Sequence, residues 1–155
     1  MFTCFALHVL VHSPETFDAY IAISPSLWWD EQKLVAEASE AFQAADELDR
    51  TVYMTLGSEG SDMRGGFLKF HAALVEHAPT GLRWQSRIMD EETHGTIPYR
   101  STRQGLEFIF ESWMFRDPVA VYEDGGVAAI QDRFQASGEQ FGVERAMTVM
   151  SLMNV

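Results

Sequence analysis

Apolar and polar positions change period along this chain, and the changes mark a succession of helices and strands. Phe2, Phe5, Ala6, Val9 and Leu10 recur at helical spacing, and Ser13-Pro14 ends that segment because the residue before a proline is pushed out of the helical region. Tyr20 to Ser24 is a short, nearly continuous apolar run, the kind that a parallel sheet buries on both faces, and Pro25 closes it. A helix follows, with Asp30 as its expected cap and a stripe of Leu34, Val35, Ala38, Ala41, Phe42 and Ala45 leading to Leu48. Thr51 to Leu56 reads as the second strand, halted by Gly57. A loop rich in Gly, Ser and Asp runs to Gly66, and Phe67 to His77 reads as a helix. Leu82 to Met89 is the third strand, and the segment from Tyr99 to Trp113 is a helix carrying Leu106, Phe108, Ile109 and Phe110.

Strands alternating with helices at this spacing predict an α/β fold of three parallel strands joined by crossover helices, because parallel neighbours cannot be linked by a tight turn. Past Asp117-Pro118, a linker containing Gly125-Gly126 leads to two helical stretches, Val127 to Gln140 and Val143 to Met153. The expected organisation is therefore a main α/β domain over residues 1–116 and a C-terminal helical extension over 117–155.

Composition narrows the function classes. The net charge of −12 repels nucleic acid and anionic membrane surfaces, and the 11 Lys and Arg residues are scattered rather than gathered into a patch. No apolar run approaches the roughly 20 residues that span a bilayer, so no membrane partner is expected. Met1 to Val11 is apolar, yet it lacks the basic leading region of a signal peptide and is interrupted by His8. Cys4 is the only cysteine, which excludes an internal disulfide and favours a reducing compartment, the cytoplasm.

The candidate chemistry lies at the carboxyl ends of the strands. Glu92-Thr93-His94-Gly95-Thr96 places a histidine on the loop between the third strand and the next helix, where α/β hydrolases carry their general base; the competing reading is a solvated loop histidine among Asp90, Glu91 and Glu92. The loop after the second strand offers two carboxylates to orient it, Glu59 and Asp62, and Asp62 can equally cap the next helix. Trp28 and Trp29, after the first strand, supply flat apolar area for a substrate wall, with one of them expected to pack beneath the following helix instead. No G-x-S-x-G elbow occurs, and Cys4, Ser24 and Ser26 lack the flanking glycines that expose a nucleophile on a strained turn. His8 and His12 stand one helical turn apart, without a third ligand, so no metal site is expected. No P-loop lysine or dinucleotide glycine pattern is present.

The runs Phe5 to Leu10 and Pro14 to Asp30, with Ser24-Pro25-Ser26-Leu27-Trp28-Trp29 the most specific part, closely resemble the esterase branch of the α/β hydrolases that includes ferric-siderophore esterases. Gly57-Ser58-Glu59, Thr93-His94-Gly95 and Gly105 to Phe110 continue the resemblance. It implies a partial α/β-hydrolase fold, a cofactor-free serine esterase acting on small carboxylic esters such as siderophore-like esters, His94 as base, and Glu59 ahead of Asp62 as its acid. For the full-length family the resemblance leaves the periplasm open as an alternative to the cytoplasm. The resemblance places the family's serine one residue before Met1, so the chain is expected to correspond to a carboxyl-terminal half, inactive within these boundaries. The alternative is a non-catalytic binding module that pairs with a second copy through the open edge of Tyr20 to Ser24.

Overall fold

The computed structural model describes residues 2–114 and 116–145. They form eight main elements: α1 (Phe2–His12), β1 (Ala19–Ile23), α2 (Lys33–Ala44), β2 (Thr51–Leu56), α3 (Ser61–His77), β3 (Arg83–Ile88), α4 (Ile97–Ile109) and α5 (Pro118–Gln140). Two compact units divide between Ile109 and Phe110.

In the first unit the three strands form a parallel sheet in the order β1-β2-β3, as the alternation of elements predicts. Ala19 pairs with Thr51 and Thr51 with Arg83, a register that holds through Ile23–Thr55 and Leu56–Ile88. Because side chains alternate across a strand, this register sorts the sheet into two faces. Tyr20 and Ala22 join Val52, Met54 and Leu56 in one core with Leu7 and Leu10 of α1, Phe42 of α2 and Phe67, Phe70 and Leu74 of α3. The opposite face carries Ile21, Tyr53 and Thr55, and α4 packs there. Gly105 lets the helix approach: a Cβ would lie 2.9 Å from Ile21 Cδ1 and 3.0 Å from Tyr53 Cδ1. Two hydrogen bonds pin α4 further, from the Tyr53 hydroxyl to Gln104 Oε1 at 3.0 Å and from Thr55 Oγ1 to Ser101 Oγ at 2.8 Å.

Three local readings are corrected. Helix α3 begins at Ser61, six residues earlier than the apolar pattern predicts, and passes through Gly65-Gly66. Gly66 is there for contact, since a Cβ would meet the Leu27 backbone at 2.8 Å. Asp30 does not cap α2. Asp30, Glu31 and Gln32 all take positive φ (49°, 54° and 65°), a left-handed turn that delays the helix to Lys33, with Gln32 at its N-cap position making no side-chain bond. Helix α4 ends at Ile109, so Phe110 to Trp113 lie beyond it.

In the second unit, α5 starts well before the expected linker ends, with Asp117 Oδ1 accepting from the Ala120 N–H at 3.0 Å. Gly125 (φ −152°) and Gly126 (φ 64°) interrupt it, which leaves one helical stretch before the glycine pair and one after. Arg145 stacks over Trp113, 4.0 Å from the ring centroid, and over Phe134 at 4.6 Å. Of the second helical stretch expected from Val143 to Met153, residues 143–145 are not helical and the remainder lies outside the described residues. Among the described residues no helix is long and apolar enough to cross a membrane.

Candidate active site

Parallel strands carry their following loops at one end of the sheet, and this brings together residues far apart in sequence. The loop after β2 is tied to the loop after β3. The Met89 N–H donates to the Leu56 carbonyl at 2.8 Å, and the Ser58 N–H and hydroxyl both donate to the Glu92 carbonyl, at 2.8 and 3.0 Å. Gly57 makes this approach feasible, because a Cβ there would sit 2.7 Å from Glu92 O and 3.1 Å from Glu59 Oε2.

His94 stands on a tight turn into α4. The Thr93 N–H donates to Thr96 Oγ1 at 2.9 Å, and the Ile97 N–H donates to Thr93 O at 2.9 Å. Ile97 is fully buried and anchors the first turn of α4. Two exposed ion pairs flank the turn: Arg64 with Asp90 at 2.6 Å, and Arg100 with Glu91. Each holds its carboxyl below the usual range, through the hydrogen bond from Arg64 for Asp90, and for Glu91 through a backbone hydrogen bond followed by that from Arg100.

The two loops place Nδ1 of His94 3.2 Å from Oε1 of Glu59. With the carboxylate ionised and the ring neutral, this contact requires Nδ1–H to donate, which puts the ring's free lone pair on Nε2. The Glu59 side chain is 6% exposed, whereas that of His94 is 74% exposed. The acid is therefore fixed in the protein and the imidazole is open to whatever stands before it. Asp62 lies elsewhere, exposed in the first turn of α3, where its charge suits the positive end of the helix dipole.

A third side chain reaches this pair. Ser24 follows β1 with φ 46°, is 3% exposed, and donates its hydroxyl to the same Oε1 of Glu59. Sequence considerations weigh Ser24 for chemistry only as a nucleophile, and reject it. Nothing in its neighbours announces a contact with a residue 35 positions away, and only the strand register supplies it.

Trp28 and Trp29 meet edge to face at 6.0 Å, and both are largely open, at 44% and 69% exposure. Trp29 lines a hollow of about 310 Å³ together with Phe5, His8, Ser26, Leu27 and Lys33; Trp28 does not line it. Cys4 also borders this hollow, and burial pushes its thiol above the ordinary value, so it stays protonated. Its environment is the opposite of one that makes a reactive thiolate. Among the described residues no group of three or more His, Cys, Asp or Glu is arranged to hold a metal ion. His12 instead turns Nε2 toward Glu37 at 3.3 Å.

The three-stranded parallel sheet with its helices is similar in fold to solved serine hydrolases. An IroE-like serine hydrolase from Shewanella oneidensis superposes on 96% of this chain with a TM-score of 0.74 at 20% identity, over 48% of its own length. The BES protein from Bacillus cereus matches 68% of this chain and 40% of its own, with a TM-score of 0.60 and 27% identity. In sequence, the siderophore triacetylfusarinine C esterase of Aspergillus fumigatus is 52% identical over a match covering 71% of this chain and 46% of that protein. The siderophore enterobactin esterase of Emericella nidulans is 44% identical over 26% of this chain and 14% of its own. No family model matches the chain. The chain is similar to siderophore esterases in sequence and to α/β serine hydrolases in fold, and it spans less than half the length of these relatives.

Proposed function

We propose that this chain carries the acid and base of a serine-esterase-type hydrolase of carboxylic esters, siderophore-like esters among them. The observation that carries the reading is the 3.2 Å approach of His94 Nδ1 to Glu59 Oε1 across two strand-end loops. In the proposed reaction Nε2 of His94 takes the proton of an attacking serine hydroxyl and returns it to the leaving alcohol, while the Glu59 carboxylate orients the ring and stabilises the imidazolium. Trp29 and the hollow beside it would receive the apolar part of the ester. Asp62, exposed on α3, is the weaker candidate for the acid. Among the described residues no hydroxyl or thiol is hydrogen-bonded to His94, and the proposed reaction takes its serine from a segment other than these.

Hydrolysis of a short-chain aryl ester tests this. The chain alone should show background turnover. A polypeptide joining it to the nucleophile-bearing half of a siderophore esterase should hydrolyse the ester, and His94→Ala should reduce that rate by ~10³-fold or more. Clear activity of the chain alone, abolished by His94→Ala, would overturn the absence of a nucleophile; a completed enzyme indifferent to His94→Ala would overturn the base. A second reading, a self-associating module, is favoured by β1, whose outer edge carries no strand among the described residues. Sedimentation of the same sample as a monodisperse monomer would remove it.

A further inference from the structure

We propose that Ser24 is a positioning residue for the Glu59–His94 pair, fixing the carboxylate from which the imidazole takes its orientation; the proposal deepens the acid–base role given to that pair and rests on it. A glutamate has one more rotatable bond than an aspartate, so a glutamate that must present one oxygen to a histidine needs a second hold. The structure supplies a single one. Glu59 Oε1 accepts from both the Ser24 hydroxyl and the His94 ring, whereas the buried Oε2 has no hydrogen-bond partner among the described residues.

The origin of that hydroxyl is itself fixed. The Ser24 N–H donates to Thr55 O at 2.7 Å, extending the β1–β2 ladder by one residue, and the side chain is buried. The main chain then bends into the left-handed region at φ 46°, where a residue bearing a Cβ is strained and glycine is not. A serine at a bend that favours glycine is explained if the hydroxyl is what the bend delivers. Its donor lies on the sheet while His94 lies on an exposed turn, so the carboxylate relays the order of the sheet to the ring. The two strand-end residues Ser24 and Glu59 thus form the buried part of the site, and His94 the exposed part.

The test is the tautomer of His94 in the whole chain, read by long-range ¹H–¹⁵N correlation from the ring C–H protons at a pH where the ring is neutral. Native chain should show Nδ1 protonated and Nε2 bare. Ser24→Gly removes the hydroxyl while relieving the bend, so its fold should persist, as methyl spectra will show, and the ring should move toward the Nε2–H form that predominates in free histidine. Ser24→Ala should do the same with the bend still strained, which separates loss of the hydroxyl from backbone relaxation. Unchanged nitrogen signals in a folded Ser24→Gly chain would overturn the proposal. The control is Glu59→Gln: if the native ring already shows mixed tautomers that this change does not alter, the acid–base reading fails, and that failure is visible apart from any effect at Ser24.

Discussion

At the scale of single residues, the candidate site is held by close approaches as much as by bonds. Gly57 illustrates this, because any side chain there would press on the Glu92 carbonyl at 2.7 Å and on the Glu59 carboxylate at 3.1 Å. Gly57→Ala must either separate the two strand-end loops or displace Glu59. We expect a loss of about 1–3 kcal/mol in urea unfolding, as for overpacking at other tight sites, together with a wider spread of His94 ring orientations in the nitrogen spectrum. Stability without change at either readout would show that the loops are free to separate. The carboxylate and histidine that meet here were legible in the sequence as residue types and in their order along the chain. Glu59 and Asp62 stand three residues apart on one loop, and only the start of α3 at Ser61 separates them, turning Asp62 outward and leaving Glu59 beside His94.

At the scale of elements, α4 links the sheet to the site. Its first turn carries the bond pattern that defines the His94 loop, and its middle lies on Ile21 and Tyr53 through Gly105. Gly105→Val would place methyl groups where Ile21 and Tyr53 already stand, at 2.9 and 3.0 Å from the first added carbon. The helix should lift from the sheet, with the bonds Tyr53–Gln104 and Thr55–Ser101 lengthened. Unfolding in urea should then fall by ~1–3 kcal/mol, and hydrogen exchange along α4 should accelerate more than along α2. Helix boundaries were the least legible part of the sequence at this scale. Gly65-Gly66 reads as a loop because glycine is a poor helix former, yet α3 runs through it because the contact with Leu27 requires a bare Cα. Asp30 reads as a cap because aspartate usually is one, but the left-handed run Asp30–Gln32 intervenes.

At the scale of the whole molecule, the dominant property is charge, −12 in total, with acidic residues crowding the turn that carries His94. Asp90 and Glu91 titrate below the ordinary carboxylate range because each accepts hydrogen bonds, Asp90 from Arg64 and Glu91 from backbone and Arg100. A lowered folded value means that their contribution to stability is present above the ordinary range near pH 4 and is lost as the pH falls through the lowered values. The difference in melting temperature between the native chain and an Arg64→Ala, Arg100→Ala double variant should therefore shrink on acidification from neutrality to the acid side of that range. High salt at neutral pH should shrink it too, since these pairs are exposed. A difference that persists in acid would show that the arginines act through packing. At the alkaline end, burial holds the Tyr20 and Tyr53 hydroxyls protonated beyond their ordinary range, so their contribution fades as the pH rises through the raised values.

The sequence by itself determined the succession of elements and the parallel sheet, because period and residue type are local properties that burial enforces strand by strand. Thr51–Leu56 carries its bounds in its own composition, and the apolar runs around β1 and β3 place those strands to within a residue or two. It also carried the resemblance to the siderophore-esterase-like hydrolases, since Ser24-Pro25-Ser26-Leu27-Trp28-Trp29 is distinctive by residue type rather than by periodicity. Tertiary structure alone decided that Ser24, Glu59 and His94 share one carboxylate oxygen, and that Trp29 but not Trp28 borders the hollow. Those relations depend on register and on how closely loops approach across the sheet end, and no window of neighbouring residues contains that information.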